Sequence, residues 1–97
     1  MKPASFHPEA VAELLAQAAY YEERVAGLGA RFFDQVESAI RLVASMPGIG
    51  SPHRHDTRRV FPKDFPLSIV YRETADSIVI IAIAPFRRKP GYWRERV

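Results

Sequence analysis

Residues 78–84, Ile-Val-Ile-Ile-Ala-Ile-Ala, leave this chain few ways to fold. The run is β-branched and apolar at both parities, so as a strand it has no polar side and needs cover on both faces. Even extended to Phe86 it is far short of the about 20 residues of a membrane-spanning helix. It therefore reads as the central strand of a small sheet. Helices take one face, and either the C-terminal tail or a partner takes the other. At 97 residues the chain reads as one domain, residues 1–97. Its 47% hydrophobic and 26% charged content excludes a disordered tail.

The first half carries helical periodicity. Ala4–Phe6 is a short strand candidate. Pro8 suits the first position of a helix, where its missing N–H costs nothing, and Glu9 meets the positive end of the dipole. Val11, Leu14, Leu15, Ala18, Ala19 and Val25 keep helical spacing. Gly27-Leu28-Gly29 stops this helix, with Gly27 suited to a left-handed position. A second helix runs from about Gly29 to Ser45, with Phe32, Phe33, Val36, Ile40 and Val43 as its stripe. The two stripes are expected to form each other's core. Residues 46–52, Met-Pro-Gly-Ile-Gly-Ser-Pro, read as a loop.

After the loop the period changes to that of strands. Arg58–Phe61 is a short strand candidate and Pro62-Lys63-Asp64 a turn. Phe65–Arg72 reads as a strand, with Pro66 confined to its start or to an edge. Glu73–Ser77 connects it to the central strand. Tight connections favour an antiparallel meander. The expected fold is α+β: an N-terminal helical hairpin packed on a small antiparallel β-sheet.

Chemistry is bounded by what is missing. There is no cysteine, which excludes disulfides, iron–sulfur clusters, thiolate zinc and cysteine nucleophiles. His53 and His55 flank Arg54 in a loop that offers only Asp56 as a further ligand, so they are not read as a metal site. No cofactor is called for. Glu9, Glu13, Glu22 and Glu23 form an acidic helix face that reads as solvated surface. Of Tyr20 and Tyr21 at least one should pack, since neighbouring helix positions diverge by about 100°. The N-terminus has no apolar block of signal-peptide length, and a cytoplasmic protein is expected.

Charge is divided unevenly. Residues 1–50 hold four basic and six acidic side chains, and residues 51–97 hold ten basic and five acidic. The basic half should face something acidic, whether nucleic acid, a nucleic-acid-bound enzyme or an acidic protein. Arg58 and Arg59 point to opposite faces of their strand, so only one of them shares a face with a given site. The tail is the most specific segment: residues 86–96, Phe-Arg-Arg-Lys-Pro-Gly-Tyr-Trp-Arg-Glu-Arg. Its cations interleave with Tyr92 and Trp93, which suits phosphate contacts with base stacking or cation–π contacts. Alternatively Tyr92 and Trp93 fold back to cap the apolar sheet.

In order along the chain stand Phe6-His7-Pro8-Glu9-Ala10, Tyr20-Tyr21-Glu22-Glu23 and Gly27-Leu28-Gly29-Ala30-Arg31-Phe32. Arg58-Arg59, Phe65-Pro66, Ser68-Ile69-Val70-Tyr71-Arg72 and Pro85–Trp93 follow. This ordered set resembles the RelE/ParE toxin superfamily over nearly the whole chain, and is most similar to its ParE-like, plasmid-stabilisation branch. The resemblance implies the toxin of a type II toxin–antitoxin module, neutralised by a ParD-like antitoxin and acting on DNA gyrase by binding rather than by catalysis. Arg87, Arg88, Lys89, Tyr92, Trp93 and Arg94 are then the target-binding set. RelE-like members instead cut mRNA on the ribosome. If this chain is such an mRNA endoribonuclease, Arg59, Arg88 and Tyr92 are its catalytic candidates, with His53 and His55 as possible acid and base. The lysine cluster of those members is absent here, Lys63 being the only lysine between the helices and the last strand. A third reading is an inactive homologue that only binds its antitoxin.

Overall fold

The computed structural model describes all 97 residues as two helices, five strands and three short 3-10 turns. β1 (Ala4–Phe6) leads into α1 (Pro8–Arg24). The imidazole Nδ1 of His7 accepts the N–H of Glu9 at 3.1 Å, and Pro8 fills the first helical position. Together they supply the start that the sequence signals. Gly27, at φ 88°, turns the chain into α2 (Leu28–Ser45). The Glu22 carboxylate accepts the N–H groups of Gly27 and Gly29, both at 2.9 Å. These amides lie at the start of α2, where helix geometry leaves them without partners. The two backbone hydrogen bonds, Gly27's first, hold the Glu22 carboxyl below its ordinary range. Glu22 therefore caps the second helix and is not simply part of a solvated face.

The sheet has the order β1-β5-β4-β3-β2. Here β2 is Ser51–His53, β3 Thr57–Val60, β4 Leu67–Glu73 and β5 Ile78–Pro85. β2 to β5 form the expected antiparallel meander. β1 departs from it by pairing parallel to β5, Phe6 opposite Ile80, so the sheet is mixed. The helical hairpin carries the chain across one face between β1 and β2, which is the crossover a parallel pair requires. β2 falls in the stretch expected to be loop. It is three residues long and contains Pro52, which is tolerated because β2 is an edge strand. β4 starts directly after Pro66. Val70 lies opposite Ala82 and Tyr71 opposite Ile80, so Ile81 is a bulge residue on β5.

Both faces of β5 are covered. On the helix side Phe32, Val36 and Val43 pack against Leu67, Ile69, Tyr71, Ile78, Ile80 and Ile83. Tyr21 joins this core, its ring 4.9 Å from that of Phe65, while Tyr20 stays exposed. On the far side Val70, Ile81, Ala82 and Ala84 pack under Trp93. The chain's own tail thus covers the second face.

The helix stripes are only partly core. Val11, Leu15, Val25 and Phe33 are exposed, contrary to the expectation that the stripes bury each other. Side-by-side helices on a sheet bury an inner and a mutual face, and an apolar stripe wider than those two faces looks outward. An apolar groove of about 520 Å3 results, lined by Ala4, Phe6, Leu14, Phe33, Val36 and Ile40. No helix is long and apolar enough to cross a membrane.

Candidate functional site: the C-terminal cap and its cationic cavity

Beyond β5 the chain turns at once, the N–H of Arg88 donating to the Pro85 carbonyl at 3.0 Å. Gly91 adopts φ 79°, a left-handed conformation that costs a glycine nothing and returns the tail to the sheet. Trp93 is 1% exposed, with His53 and His55 flanking its ring at 5.6 and 5.8 Å between centroids. Burying an aromatic of this size contributes roughly 4–6 kcal/mol before conformational costs. Trp93 is thus an anchor. It has no free face for a target or a base, so of the expected target-binding set it is the member that makes no direct contact.

A second anchor crosses to α1. The Glu13 carboxylate accepts Tyr92 Oη–H at 2.6 Å, Arg96 Nη1 at 2.8 Å, Arg96 Nη2 at 3.0 Å and the Ile83 backbone N–H at 3.1 Å. Arg96 also donates to the Ile81 carbonyl at 3.1 Å and lies 3.6 Å from Glu9. The Arg96 and Glu13 side chains are only 10% and 16% exposed. Sequence reading assigned Glu13 to a solvated face and counted Arg96 only among the tail cations suited to phosphate contacts. Nothing local could have found this cluster, because the partners stand 83 residues apart. Burial, then the Glu13 hydrogen bond and charge, push the Tyr92 hydroxyl far above its ordinary pKa.

Between cap and sheet lies a cavity of about 70 Å3, whose walls include His53, Arg59, Ser68, Phe86, Arg88 and Trp93. Arg58 and Arg59 do separate by face. Arg58 turns away to donate to the Gly50 carbonyl at 2.7 Å, while Arg59 faces the cavity. The Arg59 Nε is buried and has no hydrogen-bond partner. Arg88 stacks on Tyr92, 3.9 Å from guanidinium carbon to ring centroid. Burial, then the charges of Arg59, Arg54 and His55, hold His53 below its ordinary pKa. The cavity's rim continues onto two exposed aromatics, Phe61 (50%) and Phe86 (58%), whose rings lie 5.9 Å apart.

The fold therefore brings Arg59, Arg88 and Tyr92 to one place. Tyr92, however, holds its hydroxyl proton against Glu13, which makes it a poor proton donor or acceptor for a substrate. Around the cavity the cations go unmatched. The ion pairs of the molecule involve Lys2, Arg31, Arg41, Arg72 and Arg96, and none involves Arg54, Arg59, Arg87, Arg88, Lys89 or Arg94.

Fold and site together define a class. This is a small α+β domain with a helical hairpin closing one sheet face and a basic, self-anchored tail closing the other. A solved structure described as the chromosomal ParDE toxin–antitoxin system from P. aeruginosa shares the fold, with a TM-score of 0.79 over 88% of this chain and 96% of that one, at 18% identity. Residues 4–90 match the model of the family described as the ParE toxin of the type II toxin–antitoxin system parDE, and the chain belongs to that family. No curated protein matches it.

Proposed function

We propose that residues 1–97 act as a single toxin domain in the cytoplasm, poisoning DNA gyrase through the cationic cap and held inactive by a ParD-like antitoxin. The observation that carries this reading is family membership combined with a cap whose exposed cations, Arg54, Arg87, Arg88, Lys89 and Arg94, have no carboxylate partners within the chain. Such a field steers an acidic partner, here a gyrase–DNA complex, toward the cap. The antitoxin docks elsewhere, by laying apolar side chains into the groove between β1 and the hairpin, where Phe6, Leu14 and Phe33 wait. Neither step needs a cofactor or a metal.

The gathering of Arg59, Arg88 and Tyr92 favours one second reading, an mRNA endonuclease. Expression in bacteria without antitoxin separates the two. DNA double-strand breaks with intact mRNA are expected. Degraded mRNA with intact DNA reverses the ranking. Absence of growth arrest marks the inactive, antitoxin-binding homologue.

A further inference from the structure

We propose that the cavity beneath the cap is a binding site for one phosphoryl group of a nucleotide, whose base stacks on the exposed Phe61–Phe86 pair. The site shares Arg59 and Arg88 with the endonuclease reading above, but binding there requires no cleavage, so loss of RNA cutting and loss of binding are read separately.

Three observations carry it. The first is Arg59. Its Nε–H is buried without a partner, and an unpaired donor on a charged group is costly to keep. Arg59 also lines the cavity, which places its guanidinium beside any anion held there. The second is the lining. Arg59, Arg88, Lys89 and His53 surround the space, and the Ser68 side chain forms part of its wall. Donors approaching from several sides, with no carboxylate among the lining residues, match a tetrahedral dianion better than a planar carboxylate. A volume of about 70 Å3 suits one such group, since a single water needs only about 10–15 Å3 by the same measure. The third is the rim. Phe86 belongs to the cavity wall and is 58% exposed; Phe61, 50% exposed, meets it edge-on with centroids 5.9 Å apart. The Arg59 guanidinium lies 5.3 Å from the Phe61 ring, so the phosphate donor and the stacking platform are adjacent. Cationic pocket beside exposed aromatic is the pairing by which nucleotides are held without sequence readout. Tyr92 and Trp93, the aromatics that the tail's composition suggests for stacking, are occupied: Trp93 is buried and the Tyr92 ring already carries Arg88.

Calorimetric titration tests this with three probes at constant ionic strength: inorganic phosphate, adenosine 5′-monophosphate, and a five-residue oligothymidylate with hydroxyl ends. Trp93, the only tryptophan, lines the cavity and reports occupancy by its fluorescence. Saturable binding with a fluorescence change is expected where equal chloride gives none. Binding of the oligonucleotide identifies a strand backbone as the source of the phosphoryl group. Binding of the two smaller probes alone identifies a free nucleotide. Arg59→Gln weakens every bound probe about tenfold or more, the loss expected for a charge-assisted hydrogen bond. Arg88→Gln, an exposed position, repeats the loss should Arg59→Gln unfold. Phe86→Ala weakens adenosine monophosphate by about tenfold and leaves inorganic phosphate unchanged. Lys63→Gln, a cation outside the cavity, changes nothing. Failure of all three probes to bind, or binding by a folded Arg59→Gln and Arg88→Gln equal to the parent's, overturns the site.

Discussion

Replacing Glu13 with alanine should release the C-terminal cap. The carboxylate receives four hydrogen bonds at 2.6–3.1 Å, from Tyr92, twice from Arg96 and from Ile83. Its removal leaves three groups short. The Ile83 amide loses the side-chain acceptor recorded for it, the Tyr92 hydroxyl loses its acceptor, and Arg96, 10% exposed, keeps only the Ile81 carbonyl and a longer approach to Glu9. Unpairing a largely buried ion pair costs about 3–5 kcal/mol, and part of that is the desolvation of the stranded guanidinium. In a domain of this size each kcal/mol lowers Tm by about 4–8 °C, so Tm should fall by at least about 12 °C. Tyr92→Phe removes one donor and leaves Glu13 three others, so it should cost only about 1 kcal/mol. Urea melts of Glu13→Ala, Arg96→Met and the double variant give the coupling. The reasoning fails if Glu13→Ala costs under about 1 kcal/mol, or if the two substitutions add within about 0.5 kcal/mol, as independent sites do.

Two further outcomes follow from single side chains. The Tyr71 hydroxyl, on a fully buried ring, donates to the Pro47 carbonyl at 2.6 Å and accepts the Gly50 N–H at 2.9 Å. Tyr71→Phe should cost about 1–3 kcal/mol and speed amide exchange at Gly50, and a neutral effect on both contradicts it. His53 is held below its ordinary pKa of 6.5 by burial first and neighbouring cations second. The unfolded chain therefore takes up this proton at a higher pH than the folded one, and stability falls as pH drops through 6.5. His53→Gln should flatten the decline in Tm between about pH 7.5 and 5.5, and an unaltered slope refutes the assignment.

What the sequence makes legible follows the range of the interactions. The helix start at Pro8 and the turn at Gly27 are written in neighbouring residues, and the structure places them there, while the strand expected from Phe65 begins at Leu67, once Pro66 is past. The demand of Ile78–Ala84 for two covers is equally plain, and Trp93 answers it. The parallel pairing of β1 is not legible, because strand direction is decided by where the hairpin carries the chain rather than by three residues. β2 hides behind Pro52, which resembles a loop signal until an edge position excuses its missing donor. Arg59, Arg88 and Tyr92 could be named from the family resemblance, but their meeting in one cavity needed the folded tail. Glu13 and Glu22 looked alike on one acidic face. Only tertiary structure distinguishes a clasp for the tail from a cap for α2.

The pairing of the first strand with the last also governs when a molecule exists at all. β1 takes its place only beside residues 78–80, and Glu13 finds Arg96, 83 residues further along. A nascent chain still tethered to the ribosome can form the local helical hairpin early, but not the sheet edge or the cap. Contacts of such long sequence separation are also the slow ones to form. Such distant contacts work as a delay in assembling the fold. A chain made only as far as residue 95 therefore lacks the Arg96 half of the clasp on Glu13 and has no complete cap to present.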